Sequence, residues 1–431
     1  SMNIPPGPFK IPTINDYVPE KLKPWIFIFI LLVVQLSGGG IYLATLYETV
    51  GDKSLLREDV TMAGFASMVG MALVFAIMLC LKMRIPTKYA LMVCGVAIIS
   101  CNLIALEMNN LFILIMVCFL SGAFRMWATF ECNSTIQLWI TPTRNLPVFF
   151  AYVYLLVNGV ILLGGATDMY VALLTNYKFV NYLVIGALLF VMLLVMLLFN
   201  SRRIMPNLPL FGIDWLGAIL WGLIMLAINF IFIYFDYYDG FQAKEIQTGI
   251  VILFVLLALN IYRASFIRHP FIRLQTFMFK PVWHTLIIYL LIDVLIAPSH
   301  VYEHIYFEEI LKFDTQHMIH VNIISWTGIV AGALFTWRFF AVKNKSFKST
   351  FMIGLTALMA YEACMYFMID ATTTKELLAL PLFLKNFGYV TIAVVLLSDL
   401  LRVPFPNFFE ALSVQAMISA ACGGAIGSAI I

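Results

Sequence analysis

The sequence is poor in charge, in histidine and in polar linkers, and each shortage excludes something. Only 11% of its 431 residues are Asp, Glu, Lys or Arg, against roughly 25% in an ordinary soluble domain. A water-soluble chain of this length would need two or three domains, and so few ionised groups cannot cover their cores. The six histidines are too few for the boxes of eight or so that membrane di-iron oxygenases use. The seven cysteines (Cys80, Cys94, Cys101, Cys118, Cys132, Cys364 and Cys422) mostly fall within or at the ends of apolar runs and lack CxxC spacing. They read as small packing residues, not as a zinc set or a disulfide framework. The first 23 residues are polar, hold five prolines and contain no apolar h-region, so no cleavable signal is expected there. Ser1 ahead of Met2 has the look of a tag remnant. The net charge of +3 forms no basic stripe, which excludes a nucleic-acid footprint.

What the chain has instead is hydrocarbon, at 62% hydrophobic residues. Thirteen apolar runs of about 20 residues match a hydrocarbon slab roughly 30 Å thick. Their expected limits are 24–46, 59–82, 88–106, 110–132, 146–168, 178–199, 211–235, 246–266, 282–302, 317–340, 349–369, 377–401 and 408–431. A backbone inside lipid must satisfy its own hydrogen bonds, and continuous runs do not carry the alternation of a barrel strand. The expected fold class is therefore an all-α polytopic membrane protein.

The loops alternate in charge. One face carries Lys10, Lys21 and Lys23, then Lys82, Arg84 and Lys88, then Arg144, Arg202 and Arg203, and later Arg263, Arg268, Arg273, Lys280, Arg338, Lys343, Lys345, Lys348 and Arg402. The other carries Glu48, Asp52, Asp59, Glu107, Asp236, Asp239, Glu303, Glu308, Glu309 and Asp314. The positive-inside rule assigns the basic face and the N-terminus to the cytoplasm.

Four stretches carry a resemblance. Span 7 opens with Asp214-Trp215-Leu216-Gly217, and the longest basic loop holds His269-Pro270-Phe271-Ile272-Arg273-Leu274 and then Phe277 to Pro281. Span 9 leads into Tyr306 to Phe313, and span 13 carries Cys422-Gly423-Gly424-Ala425-Ile426-Gly427. In order and spacing they resemble the fourteen-helix drug/proton antiporter branch of the major facilitator superfamily. The resemblance implies two six-helix bundles with two inserted helices and a substrate site near the midplane between the bundles. It divides the chain into a cytoplasmic segment 1–23, a first bundle 24–200, an inserted pair and loop 201–280, and a second bundle 281–431. It also implies one further span after Ile431.

The first half departs from the family pattern. The loop after span 2 keeps Arg84 and Lys88 but lacks the family's glycines and aspartate. The span-5 signature is reduced to Asn158-Gly159 and Gly164-Gly165, without its proline. The family's span-4 arginine would fall near Cys118, so Arg125, seven residues on and on the same face, resembles that cation moved two turns along.

Ionised groups inside a bilayer cost roughly 2.5–3.5 kcal/mol on insertion scales, so each is a functional candidate. Arg125 suits an anion or substrate-carboxylate contact, or a structural cation. Glu131, six residues on, points off that face, so each needs a partner on another helix. Asp293, apolar on both sides, suits a proton-loading site or an interhelical hydrogen bond. Glu362 and Lys385 sit at similar depths on consecutive spans and suit an ion pair, static or remade during transport. Gln35, Asn158 and Asn322 complete the candidate cavity set, while Arg84, Lys88, Gly164, Gly165, Asp214, Gly423, Gly424 and Gly427 are the conformational motif residues. His300 and His304 are spaced i, i+4 and His317 and His320 i, i+3, so each pair shares a helical face as metal ligands do. A polar, pH-sensitive outer loop is the plainer reading of them.

The expected function is a secondary active transporter of the bacterial inner membrane, multi-pass and monomeric, not an enzyme and without a cofactor. Its partners would be the lipid bilayer, a small amphipathic or zwitterionic substrate and protons, with no nucleic acid. A membrane-embedded metal-binding enzyme on the histidine cluster and a transporter-fold sensor or scaffold are the alternatives.

Overall fold

The computed structural model describes residues 14–37, 57–107, 109–140, 146–160, 162–163, 170, 174, 177–201, 213–235, 237–305, 311, 315–342, 347–367 and 377–420. Within them, each of the thirteen apolar runs contains a helix. The first half comprises α1 (Lys23–Leu36), α2 (Arg57–Val74), α3 (Met78–Arg84), α4 (Thr87–Glu107), α5 (Leu111–Ile140), α6 (Leu146–Val153) and α7 (Tyr177–Leu198). Between the two halves of the chain lie α8 (Trp215–Ile233) and α9 (Lys244–Phe266). The second half comprises α10 (Lys280–Ile305), α11 (Thr315–Phe335), α12 (Phe347–Phe367), α13 (Ala379–Asp399) and α14 (Phe405–Ala420). Wider π-helical turns, Tyr154–Asn158 and Thr336–Val342, continue α6 and α11.

Eight of these helices are long and apolar enough to cross a bilayer, or nine if α2 and α3 count as one span bent by 62°. Lys23–Leu36 and Leu146–Asn158, α1 and α6 with its π turn, are shorter apolar helices. The bend has no proline. It falls where Ala76 and Ile77 bond back three residues, to the carbonyls of Leu73 and Val74, so the helix tightens before it restarts at Met78.

In the first half α5 is the hub, packed by α1, α2 and α4. The α2–α5 contact is the tightest: a Cβ on Gly70 would lie 2.1 Å from the Phe119 carbonyl oxygen, and one on Gly122 2.0 Å from that of Ser67. Lipid supplies no hydrophobic drive between helices, so backbones this close gain their stability from dispersion. α9 lies at the opposite extreme, with Val251, Phe254, Val255, Leu259, Tyr262 and Phe266 all exposed, as suits hydrocarbon.

The halves meet on the basic side and near mid-depth. α14 packs on α2, where the Ser413 hydroxyl donates to the Ala72 carbonyl at 2.8 Å. Phe409 and Phe408 set their rings 6.0 and 6.2 Å from those of Phe130 and Phe150. α6 packs on α13 and on the π turn after α11, and Gly159 lies against the Trp326 indole. One core cluster therefore runs through both halves, from Leu31 and Val69 to Val394 and Val414.

Candidate functional site

In the first half the deep polar groups gather along one stripe of α5. Arg125 is 6% exposed; its Nη2 lies against the Met71 sulfur of α2, and its Nε has no hydrogen-bond partner. One turn on, Thr129 donates its hydroxyl to the Arg125 carbonyl at 2.8 Å and accepts from Gln35 Nε2 of α1 at 2.6 Å. Gln35 Oε1 is buried with nothing bound to it. An unused guanidinium donor on α5 and an unused amide acceptor on α1 are thus linked through Thr129, one turn from Arg125. A soft sulfur does not neutralise a guanidinium, and a buried charge of this kind calls for an anion.

In the second half Asp293 of α10 is 7% exposed and accepts from the Ser419 hydroxyl of α14 at 3.1 Å. Ser419 in turn accepts from Gln415 Nε2 at 3.0 Å. Three tyrosines complete the surroundings. Tyr289, one turn before Asp293, donates to the Ala393 carbonyl at 3.1 Å. Tyr154, in the π turn of the first half, interacts with Tyr289 across the junction between halves. Tyr389 of α13 interacts with both Asp293 and Ser419. This carboxyl is therefore held by two helices of its own half and approached by a residue of the other.

The remaining sequence candidates divide. Glu131 is fully buried and pairs with Lys82 of α3 at 2.7 Å, with Thr87 donating to the same oxygen at 3.2 Å. Its partner on another helix is thus a cation beside the bend, and the pair ties α3 to α5. Arg84 keeps Nε and Nη1 buried without a partner, and Lys88 sits half-exposed in the first turn of α4. Lys385 of α13 is buried, with its ammonium 5.6 Å from the centre of the Tyr361 ring, while Glu362 next to that ring is exposed on α12. Asn158 and Asn322 are half-buried on the π turn after α6 and on α11. Gly164, Gly165, Gly423, Gly424 and Gly427 lie outside the described residues, as do the side chains of His300, His304 and His317. His320 is half-buried, and among the described residues no group of three His, Cys, Asp or Glu is placed to hold a metal ion.

The motif residue Asp214 is a joint. Its carboxylate caps α8 by accepting the Gly217 N–H at 3.1 Å, takes both Arg263 guanidinium nitrogens at 2.7 and 2.6 Å, and accepts the Phe271 N–H at 3.0 Å. A side chain at Gly217 would meet Asp214 Oδ2 at 2.2 Å and Phe271 Cβ at 2.8 Å. Asp214 lies just before the apolar span Trp215–Ile233. Burial pushes its carboxyl up, but Arg263 and the two N–H groups outweigh burial and hold it below the usual carboxylate range.

The sequence reading missed Ser419, Gln415, Thr129, Tyr154, Thr276 and Glu410. Only Glu410 carried a signal that could have found it, as a carboxylate inside the last apolar run. Its carboxylate is buried under the loop after α9, where Thr276 donates its hydroxyl and Arg273 its backbone N–H, the latter at 3.2 Å.

No family model and no curated protein matches the sequence. Solved structures do match the fold. A mutant of the nucleoside transporter NupG is 14% identical with a TM-score of 0.57, over 94% of this chain and 90% of that one. The human organic anion transporter MFSD10 is 11% identical with a TM-score of 0.56, over 96% and 94%. The peptide transporter POT in complex with sulfate is 13% identical with a TM-score of 0.59, over 94% and 87%. The chain thus has the all-α, multi-pass major facilitator fold. At these identities the likeness is one of fold.

Proposed function

We propose that this protein is a secondary transporter that moves a small zwitterionic or amphipathic solute by alternating access, with Arg125 as the anion contact and Asp293 as the proton or cation site. The observation that carries the reading is the Arg125 guanidinium, buried at mid-span against a thioether with one nitrogen unpartnered. A static structural cation would be expected to hold a carboxylate or carbonyl, as Lys82 and Arg263 do. Asp293, tied to α14, supplies the complementary charge in the other half. The three solved neighbours carry a nucleoside, an organic anion and a peptide by their names, which supports an organic solute without choosing among them.

In this reading the chain belongs to the fourteen-helix branch, sits in the bacterial inner membrane with its basic face in the cytoplasm, and works as a monomer. Protonation of Asp293 on one face and its release on the other would couple transport to the proton gradient. Glu362, Lys385, Asn158 and Asn322 are further members of the solute path.

A thermal-shift screen of organic anions, cations and zwitterions in detergent, repeated at two pH values, tests the proposal. A zwitterion or amphipathic anion is expected to stabilise the protein and to lose its effect in Arg125→Met. Stabilisation by sugars or simple cations alone, unchanged in that variant, would count against it.

A further inference from the structure

We propose that the loop joining α9 to α10, residues 267–279, is a strap that holds the basic face closed and lets go at Glu410 when that face opens. The inference rests on the alternating-access reading above, and it concerns residues outside the candidate solute site.

The strap spans two bodies that must separate. α8 sits on α2, with Gly222 against Leu73 and Phe119, so the inserted pair rides on the first half. α14 belongs to the second half and closes on α2 through Ser413 and the Phe408 and Phe409 rings. The strap leaves the first body at the Asp214 joint, which grips its Phe271 N–H, and is pinned onto the second body at Glu410 by Thr276 and Arg273. Between the anchors Phe271 and Ile272 are 6% and 1% exposed, in the same core cluster as Leu73 of α2 and Val414 of α14. Drawing α14 away from α2 stretches this short segment, so one anchor has to yield.

Geometry selects which. Asp214 receives four donors, two of them guanidinium nitrogens at 2.7 and 2.6 Å. Glu410 receives a hydroxyl and one backbone N–H, and its cation arm is loose: Arg273 Nε stands 3.8 Å away on a side chain 46% exposed. Of the four donors at Asp214 only the Phe271 N–H belongs to the strap, but the bidentate Arg263 pair, of the stronger charge-assisted class, fixes the carboxylate it bonds. Letting it go would also pull the buried Phe271 side chain away from Gly217. Opening would also bring water to Glu410, replacing the donors it loses, and no buried strap side chain has to be exposed there. The Glu410 anchor is the one that parts.

Paired spin labels test this. The labels sit at Tyr89 and Arg402, exposed positions on the basic ends of the two halves, in the full chain with its native cysteines replaced. Thr276→Val and Glu410→Gln are expected to raise the open-to-closed ratio by a factor of about ten, the worth of a hydrogen bond to a charged group. Thr276→Ser, which keeps the hydroxyl, should match the parent. Arg273→Ala removes only the exposed arm and should open the face by a smaller factor, so a Glu410→Gln that fails to fold does not end the test. Ser413→Trp wedges α14 from α2 without touching the strap. If Ser413→Trp lengthens the distance while Thr276→Val, Glu410→Gln and Arg273→Ala leave it at the parent value, the strap is overturned and alternating access stands. If Ser413→Trp yields no longer distance, the alternating-access reading falls, and the strap with it.

Discussion

Burying a guanidinium against a thioether costs the fold several kcal/mol unless an anion arrives, and at Arg125 Nη2 meets the Met71 sulfur while Nε is unpartnered. Replacing that charge by an apolar side chain of similar length should then be neutral or stabilising. Arg125→Met is expected to unfold in detergent at the same temperature as the parent or higher; a fall of several degrees would make Arg125 a structural cation. Asp214 predicts the opposite behaviour. Its carboxyl is held below the usual range, so its contribution is full above the unfolded value of about 3.9 and is lost as pH falls through the folded value. Asp214→Asn should therefore be less stable than the parent near neutral pH, and the gap should narrow below about pH 4 in thermal melts. A gap that stays constant to pH 3 would contradict this. At this scale Arg125, Asp293 and Glu131 were legible as isolated charges in apolar runs. Their partners were not, because Met71, Ser419 and Lys82 lie 54, 126 and 49 residues away and are joined to them only by packing.

Helices follow from hydropathy alone, since a run of about 20 apolar residues has few other ways to satisfy its backbone in lipid. That is why each of the thirteen expected spans contains a helix, while the 62° bend between α2 and α3 and the π turns at Tyr154–Asn158 and Thr336–Val342 went unforeseen. Hydropathy carries no signal for a shift in hydrogen-bond step. How closely two helices approach is likewise a matter of single side chains. Gly122→Ala sets a methyl group 2.0 Å from the Ser67 carbonyl oxygen and must push α2 from α5. The expected cost is about 1–3 kcal/mol, read as a lower midpoint of unfolding. Gly186→Ala, on a face of α7 with nothing within 4 Å of the new methyl, should be neutral or slightly stabilising. Equal effects at the two sites would refute the close-packed α2–α5 contact.

For the whole molecule, α14 on α2 and α6 on α13 join the two halves of the chain, and deep polar groups lie in both. How the two halves pack depends on contacts such as Ser413 with Ala72, 341 residues apart, for which loop charge and hydropathy carry no signal. The central claim, solute movement coupled through Asp293, is tested most directly by uptake into proteoliposomes of a solute that stabilises the protein, driven by an imposed pH gradient. The account predicts that the parent concentrates the solute, and that Asp293→Asn abolishes gradient-driven accumulation while still exchanging solute across the membrane at equilibrium. Undiminished pH-driven accumulation by Asp293→Asn would contradict it.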